Sequence, residues 1–193
     1  MSQTNQPIQK SQTDFGSMQS IHKDMLLRCK KGDRNAQMQV YHLYYKAMYN
    51  TSLRIVKDSF EAEDLMQEAF LKAFDQMSTL IDLSLFGAWL KRIVLNLSIN
   101  SLRKKSTYEN LIEQAEMGSD SVEEMDLPYS VREVKAAMNC LSDGYRMVLS
   151  LYLFEGYDHE EISAILGVTS STSRSQYNRG RKQLKQILID QKR

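Results

Sequence analysis

The chain has 193 residues, 42% of them hydrophobic, enough for one or two compact domains. Its net charge of +1 hides a partition: 15 basic and 10 acidic residues over 1–105, seven acidic and no basic residues over 106–127, and 10 basic and seven acidic residues over 128–193. No apolar run approaches the roughly 18 residues that span a bilayer, no basic-then-apolar leader opens the chain, and Cys29 and Cys140 lack a CxxC pair or a histidine at ligand spacing. A membrane protein, a disulfide scaffold and a zinc site are therefore disfavoured, and an all-helical cytoplasmic protein with free thiols is expected.

Residues 1–19, rich in Ser, Gln, Thr and Asn, predict a disordered tail. A first domain follows over 20–105. It opens with a short helix from about Ile21 to Lys31, which Gly32 ends. Asp33 caps a long helix reaching about Val56. Tyr41, Tyr44, Tyr45 and Tyr49 in it could stack on bases, but their spacing favours packing with the hydroxyls at the rim. Asp58 with Glu61 then makes a capping box for FEAEDLMQEAFLKAFDQM. Its core face is Ala62, Met66, Ala69, Phe70, Ala73, Phe74 and Met77. The opposite face gathers Asp64, Gln67, Glu68, Leu71 and Asp75. An exposed leucine can be incidental, and an acidic face with an apolar centre also suits docking on a basic partner.

After a loop over 78–84 comes LFGAWLKRIVLNLSINSLRKK, with Phe86, Leu90, Ile93, Val94 and Leu97 as the buried stripe. Trp89, Arg92, Asn96 and Arg103 run along one flank with Asn100 close by, a set suited to nucleic acid, although Trp89 alone reads more readily as core. Leu95 and Ile99 point away from that stripe and predict another covered surface. Residues 106–129 form an acidic linker, either a solubilising spacer or a strand that follows a positive groove. The second domain spans 130–193. Ser130 with Glu133 caps a helix with the stripe Val134, Ala137, Met138 and Leu141. A further helix from Ser142 through Phe154 carries Tyr145, Val148, Leu149 and Tyr152 inward, and Gly156 ends it.

Asp158 and Glu161 form the next capping box, Ile162, Ile165 and Leu166 share a face, and Gly167 supplies a left-handed stop. Thr169 caps a second, basic helix. A short Gly-containing turn between two helices is the helix-turn-helix pattern, whose second helix enters the major groove. At 100° per residue Ser173, Tyr177, Gly180, Leu184 and Leu188 face inward, while Ser171, Ser175, Asn178 and Lys182 face outward with Arg174 and Lys185 at the margin. The bland reading is a solvated C-terminal helix; the Gly turn and serine-rich N-terminus favour DNA. His22, His42 and His159 are scattered and read as surface or rim residues.

Two blocks resemble the bacterial sigma factors of the extracytoplasmic-function (ECF) group. EAEDLMQEAFLKAF followed by FGAWLKRIVLNLSINSLRKK is similar to that family's region two, and LSDGYRMVLSLYLFEGYDHEEISAILGVTSSTSRSQYNRGRKQL to its region four. The resemblance implies an all-α fold: a region-two helical bundle and a region-four helix-turn-helix joined by the acidic linker. It implies that core RNA polymerase is bound through Asp64, Gln67, Glu68 and Leu71. The −10 promoter element would be read by Trp89, Arg92, Asn96, Asn100, Arg103 and Lys104, with a flipped base captured near residues 75–85. The −35 element would be read by Ser170, Ser171, Arg174, Ser175, Asn178, Arg181 and Lys182. No catalytic residue, metal or cofactor is expected.

Departures from the family pattern are Ser173 for Val, Tyr177 for Leu or Ile, Asn100 for Asp, and Gly180 for Ala at a mid-helix cost of about 1 kcal/mol. An anti-sigma factor attracted by Leu95, Ile99 and the second domain's apolar side is the expected further partner, without membrane insertion of the chain itself. The alternatives are a free-standing helix-turn-helix repressor or activator, dimeric on paired half-sites, and an enzyme of nucleic-acid metabolism.

Overall fold

Side chains close at hand in the sequence set most of the helix starts in the computed structural model, which describes residues 22–105 and 129–191. The expected tail and all but the last residue of the acidic linker lie outside the described residues. Asp33 accepts from the backbone N–H of Asn35 and Ala36, Asp58 from Glu61, and Thr169 from Thr172. Ser130–Glu133 and Asp158–Glu161 close as reciprocal capping boxes. At Asp58 the box stays half-made. The Glu61 carboxylate turns instead to Ser101 Oγ and Lys105 Nζ, both at 2.6 Å, and ties two helices together.

The first domain comprises a helical stretch over residues 22–30 (α1), then α2 (Arg34–Val56), α3 (Ser59–Asp75) and α4 (Phe86–Lys105), with 3₁₀ turns at Met77–Thr79 and Leu83–Leu85. Its core joins Leu26, Val40, Met66, Phe70, Phe86, Leu90 and Val94. The tyrosines pack there, as their spacing predicts. Tyr41 lies 4.8 Å from Phe70 and Tyr44 5.4 Å from Phe86, ring centre to ring centre, and the Tyr44 hydroxyl meets His22 Nε2 at 2.9 Å.

The second domain comprises α5 (Val131–Asn139), α6 (Asp143–Leu153), α7 (His159–Leu166) and α8 (Ser170–Asp190). Gly167, at φ 66°, makes the left-handed stop between α7 and α8. Helix α8 folds back so that Leu184 and Leu188 close a core with Ala137, Met138, Leu141 and Leu149. Gly180 sits where α8 crosses α6: a β-carbon there would meet Leu149 Cδ1 and Tyr145 Cβ at 3.1 Å. The glycine's helix-propensity cost thus accompanies a close helix crossing.

A third apolar cluster joins the domains and corrects one expectation. Leu95, Ile99 and Leu102 of α4, with Ile55 and Val56 of α2, are buried against Met147, Val148, Leu151, Ile162 and Leu166 of the second domain. Leu95 and Ile99 do face a covered surface, but the cover is this chain's own second domain. They are therefore not available to attract an anti-sigma factor in this arrangement.

Candidate nucleic-acid interface

Three exposed faces and the seam between the domains hold the candidate residues. On α3, Asp64, Gln67, Glu68 and Leu71 are all exposed, Leu71 by 71%. Glu68 pairs with Lys72 at 2.7 Å along the helix. Leu71 and Gln67 also edge a groove of about 510 Å³ between α2 and α3, floored by Met38, Tyr41, Phe70 and Phe74. The α3 face therefore offers apolar contact area inside an acidic rim.

On α4, Arg92, Asn96, Asn100 and Lys104 are exposed in a row. Trp89 is half-buried, tilted against Phe86 with ring centres 6.0 Å apart, so part of the indole belongs to the core. Arg103 is turned inward, and its Nη2 donates to the Leu166 carbonyl at 2.7 Å. Beside the N-terminal end of α4 the 81–84 loop and α1 border a hollow of about 590 Å³, lined by His22, Lys23, Leu26, Leu27 and residues 81–84. Ile81 stands almost fully exposed at its edge, and Asp82 is held by the backbone N–H and hydroxyl of Ser84. Those hydrogen bonds lower the Asp82 carboxyl pKa below its usual value, which keeps the loop charged and shaped.

On α8, Ser171, Arg174, Asn178 and Lys182 are exposed, while Ser170, Ser175 and Arg181 are half-buried. Glu160 on α7 takes two of these groups: Ser170 Oγ donates to it at 2.9 Å and Arg174 Nη2 at 2.6 Å. Arg181 lies over the Tyr177 ring at 5.5 Å. The inward side differs from the aliphatic packing that the resemblance implies. Ser173, fully buried, meets His159 Nδ1 at 2.9 Å, and the imidazole packs on Tyr152, stacked at 4.9 Å, and Tyr177 at 5.5 Å, two rings that themselves touch at 4.5 Å. Burial, with Arg174 nearby, lowers the His159 pKa below its ordinary value, favouring the neutral ring. Sequence reading placed His159 at the rim; its position one residue after a helix cap, fourteen before Ser173, carried no periodic signal.

The seam is polar as well as apolar, and each domain closes a helix end of the other. The last carbonyls of a helix lack internal partners and attract cations. Arg146 of α6, only 1% exposed, donates to the carbonyls of Arg54 (3.1 Å) and Ile55 (2.7 Å) at the end of α2. Arg103 of α4 in turn donates to Leu166, the last residue of α7. Arg146 also pairs with Asp143 at 2.5 Å. The Glu155 carboxylate, 4% exposed, accepts from Arg54, from Lys91 at 2.8 Å and from Thr51 Oγ1 at 3.0 Å. Burial alone would raise its pKa, but the hydrogen bonds from Lys91 and Arg54 outweigh that and lower it.

Among the described residues no helix is long and apolar enough to cross a membrane. No group of three or more His, Cys, Asp or Glu among them could hold a metal ion.

Two family profiles match the chain: Sigma-70 region 2 over residues 40–108 and Sigma-70, region 4, over residues 132–184. The chain is 27% identical over 189 residues to the ECF RNA polymerase sigma factor SigW of Bacillus subtilis (strain 168), covering 90% of this chain and 100% of that protein. It is 32% identical over 133 residues to the RNA polymerase sigma factor SigZ of the same organism, covering 69% and 76%. Among solved structures it resembles the sigma factor RpoE in complex with the anti-sigma factor NepR from Bartonella quintana (TM-score 0.54, 25% identity, 79% of this chain and 96% of that one). CnrH in complex with the cytosolic domain of CnrY shares the fold (TM-score 0.55, 19% identity, 88% and 97%).

Proposed function

The chain belongs to the ECF sigma factors of RNA polymerase, and we propose that it binds core polymerase and directs it to a specific set of promoters. The domains are assigned accordingly: residues 20–105 to polymerase and the −10 element, 106–129 to a linker, and 130–193 to the −35 element. The observation that carries this reading is the α3 face. Leu71, 71% exposed between Asp64, Gln67 and Glu68, is left uncovered by both domains and lies beside an apolar groove. A buried interface with an apolar centre and a charged rim is what such a face suits.

The −10 strand is assigned to the α4 flank, Trp89, Arg92, Asn96, Asn100, Arg103 and Lys104, and the flipped base to the hollow under the 81–84 loop. The −35 duplex is assigned to Ser170, Ser171, Arg174, Ser175, Asn178, Arg181 and Lys182, with Arg174 leaving Glu160 as it meets DNA. The chain itself carries out no catalysis; polymerisation belongs to its partner, in the cytoplasm. An anti-sigma factor is a further proposed partner, in line with the complex formed by the Bartonella relative.

Geometry imposes a step. The two promoter elements lie about 25 base pairs apart, or roughly 85 Å at about 3.4 Å per pair. With Arg103 2.7 Å from Leu166, the helix-turn-helix abuts the −10 flank. Both elements are read at once only after the seam opens, so the arrangement described is a resting one.

In vitro transcription with purified core polymerase on genomic fragments tests the reading, comparing wild type with an Asp64→Ala, Glu68→Ala double variant. Specific initiation by the wild type, weakened in the variant, is expected. DNA binding by the chain alone, with no initiation on any fragment, would overturn it in favour of a free-standing repressor or activator.

A further inference from the structure

At the edge of the seam lies a cavity of about 130 Å³ that opens to solvent beside Lys135 and Asn139, one wall from α2 and the other from α5 and α6. Its polar lining is Asn50, Arg54, Lys135, Asn139, Arg146 and Ser150: three cations and no acid. The carboxylates that balance Arg54 and Arg146, Glu155 and Asp143, stand outside that lining. Two buried atoms of its lining residues, Ser150 Oγ and Arg54 Nε, have no hydrogen-bond partner among the described residues. Ser150 is only 2% exposed, and in a helix its hydroxyl would ordinarily return to a backbone carbonyl of the preceding turn. Leaving such a donor buried and unpaired is costly. Lys135 makes no ion pair among the described residues.

We propose that this cavity is a binding site for a small oxyanion, a phosphate or carboxylate group, whose occupancy holds the two domains together. At about 30 Å³ per water, the space takes about four waters, or one tetrahedral oxyanion. The Ser150 hydroxyl, Arg54 Nε–H and the Lys135 ammonium supply donors, and the amides of Asn50 and Asn139 can add two more. Charge-assisted bonds of this kind are the strong ones. A cation would face three positive groups, whereas an anion gains charge-assisted bonds from them.

Because α2 supplies one wall and α5 and α6 the other, the complete site exists only while the domains are closed. A ligand that binds only the closed form multiplies the closed-to-open ratio by one plus its concentration over Kd, about 11-fold at ten times Kd. The site thus links anion concentration to the opening step. It stands apart from the polymerase reading, since its test reads binding and shape rather than transcription.

The full-length chain is titrated calorimetrically with inorganic phosphate, and separately with acetate, at constant ionic strength maintained with chloride. Small-angle X-ray scattering follows the radius of gyration along each titration. Saturable one-to-one binding of at least one anion is expected, with the radius of gyration falling as the site fills. Phosphate binding without acetate binding assigns a phosphate ligand, and the reverse assigns a carboxylate. Lys135→Glu, at an exposed position, is expected to weaken binding at least about tenfold while leaving the anion-free melting temperature unchanged. Ser150→Ala is expected to weaken it about fivefold. No saturation by either anion beyond the chloride baseline, or undiminished affinity in Lys135→Glu, would overturn the proposal.

Discussion

His159 and Glu160 stand side by side at the start of α7, and one steers the inside of α8 while the other steers its outside. Neutral His159 bonds buried Ser173 and packs on two tyrosine rings that also touch each other. Its pKa is lowered by burial first and by Arg174 second, against Glu160 and Asp158, which raise it. The unfolded chain, with an ordinary histidine near 6.5, therefore takes up the proton more readily than the folded one. The stability contributed by neutral His159 is complete above about pH 6.5 and is lost as pH falls towards the lowered folded value. The melting temperature of the second domain should fall with acidity in that window, and His159→Gln should flatten the slope. A slope unchanged in the variant would assign the effect elsewhere. Glu160 engages Arg174 and Ser170 at the surface of the free protein. In Glu160→Gln, Arg174 is released, and DNA affinity should rise at low salt. If Arg174 takes a phosphate, the log–log salt slope should steepen by about 0.9, measurable by fluorescence anisotropy on duplex DNA.

Among the elements, α8 shows how propensity and packing trade against each other. In an exposed helix, replacing a mid-helix glycine with alanine gains about 1 kcal/mol. At Gly180 the added carbon would meet Leu149 Cδ1 and Tyr145 Cβ at 3.1 Å. The leucine methyl can rotate away, but Tyr145 Cβ is fixed to the α6 backbone, so the two helices must separate. Gly180→Ala should therefore lower the urea midpoint of the second domain, and a rise would show that α6 yields without loss. Helix α4 illustrates a second point. One face packs on the first domain's core, Leu95, Ile99 and Leu102 pack on the second domain, and the remaining flank carries Arg92, Asn96 and Asn100 to solvent. A helix apolar on two sides therefore carries the seam and the candidate −10 flank together.

For the whole molecule the seam is the controlling feature. Arg146 is a buried cation whose own pKa burial lowers and Asp143 raises, and it is satisfied by two carbonyls of the other domain. Removing it while the seam stays dry would cost about 3 kcal/mol, the lower part of the range for a broken buried pair because Asp143 keeps some water contact. Opening the seam rehydrates those groups. Arg146→Ala should therefore separate the domains: a larger radius of gyration by small-angle scattering, with helical content by circular dichroism retained. An unchanged radius would show that the apolar cluster suffices to hold the domains closed.

What the sequence determined by itself was local. Capping side chains act within three residues, and a helix repeats its buried face every three or four. So the caps at Asp33, Ser130, Asp158 and Thr169, the core stripes and the Gly167 turn were all legible. The exposed acidic face of α3 was legible for the same reason, as the complement of its stripe. Periodicity even marked Leu95 and Ile99 as covered, but a stripe does not say by what. Only the tertiary structure decided that residues some fifty positions away in the second domain cover them. The same holds for Arg146, which composition alone would place at the surface, and for His159, which found its partner fourteen residues on. A buried charge is tolerated only where distant carbonyls and carboxylates converge on it, and that convergence is a property of the assembled fold rather than of any stretch of chain.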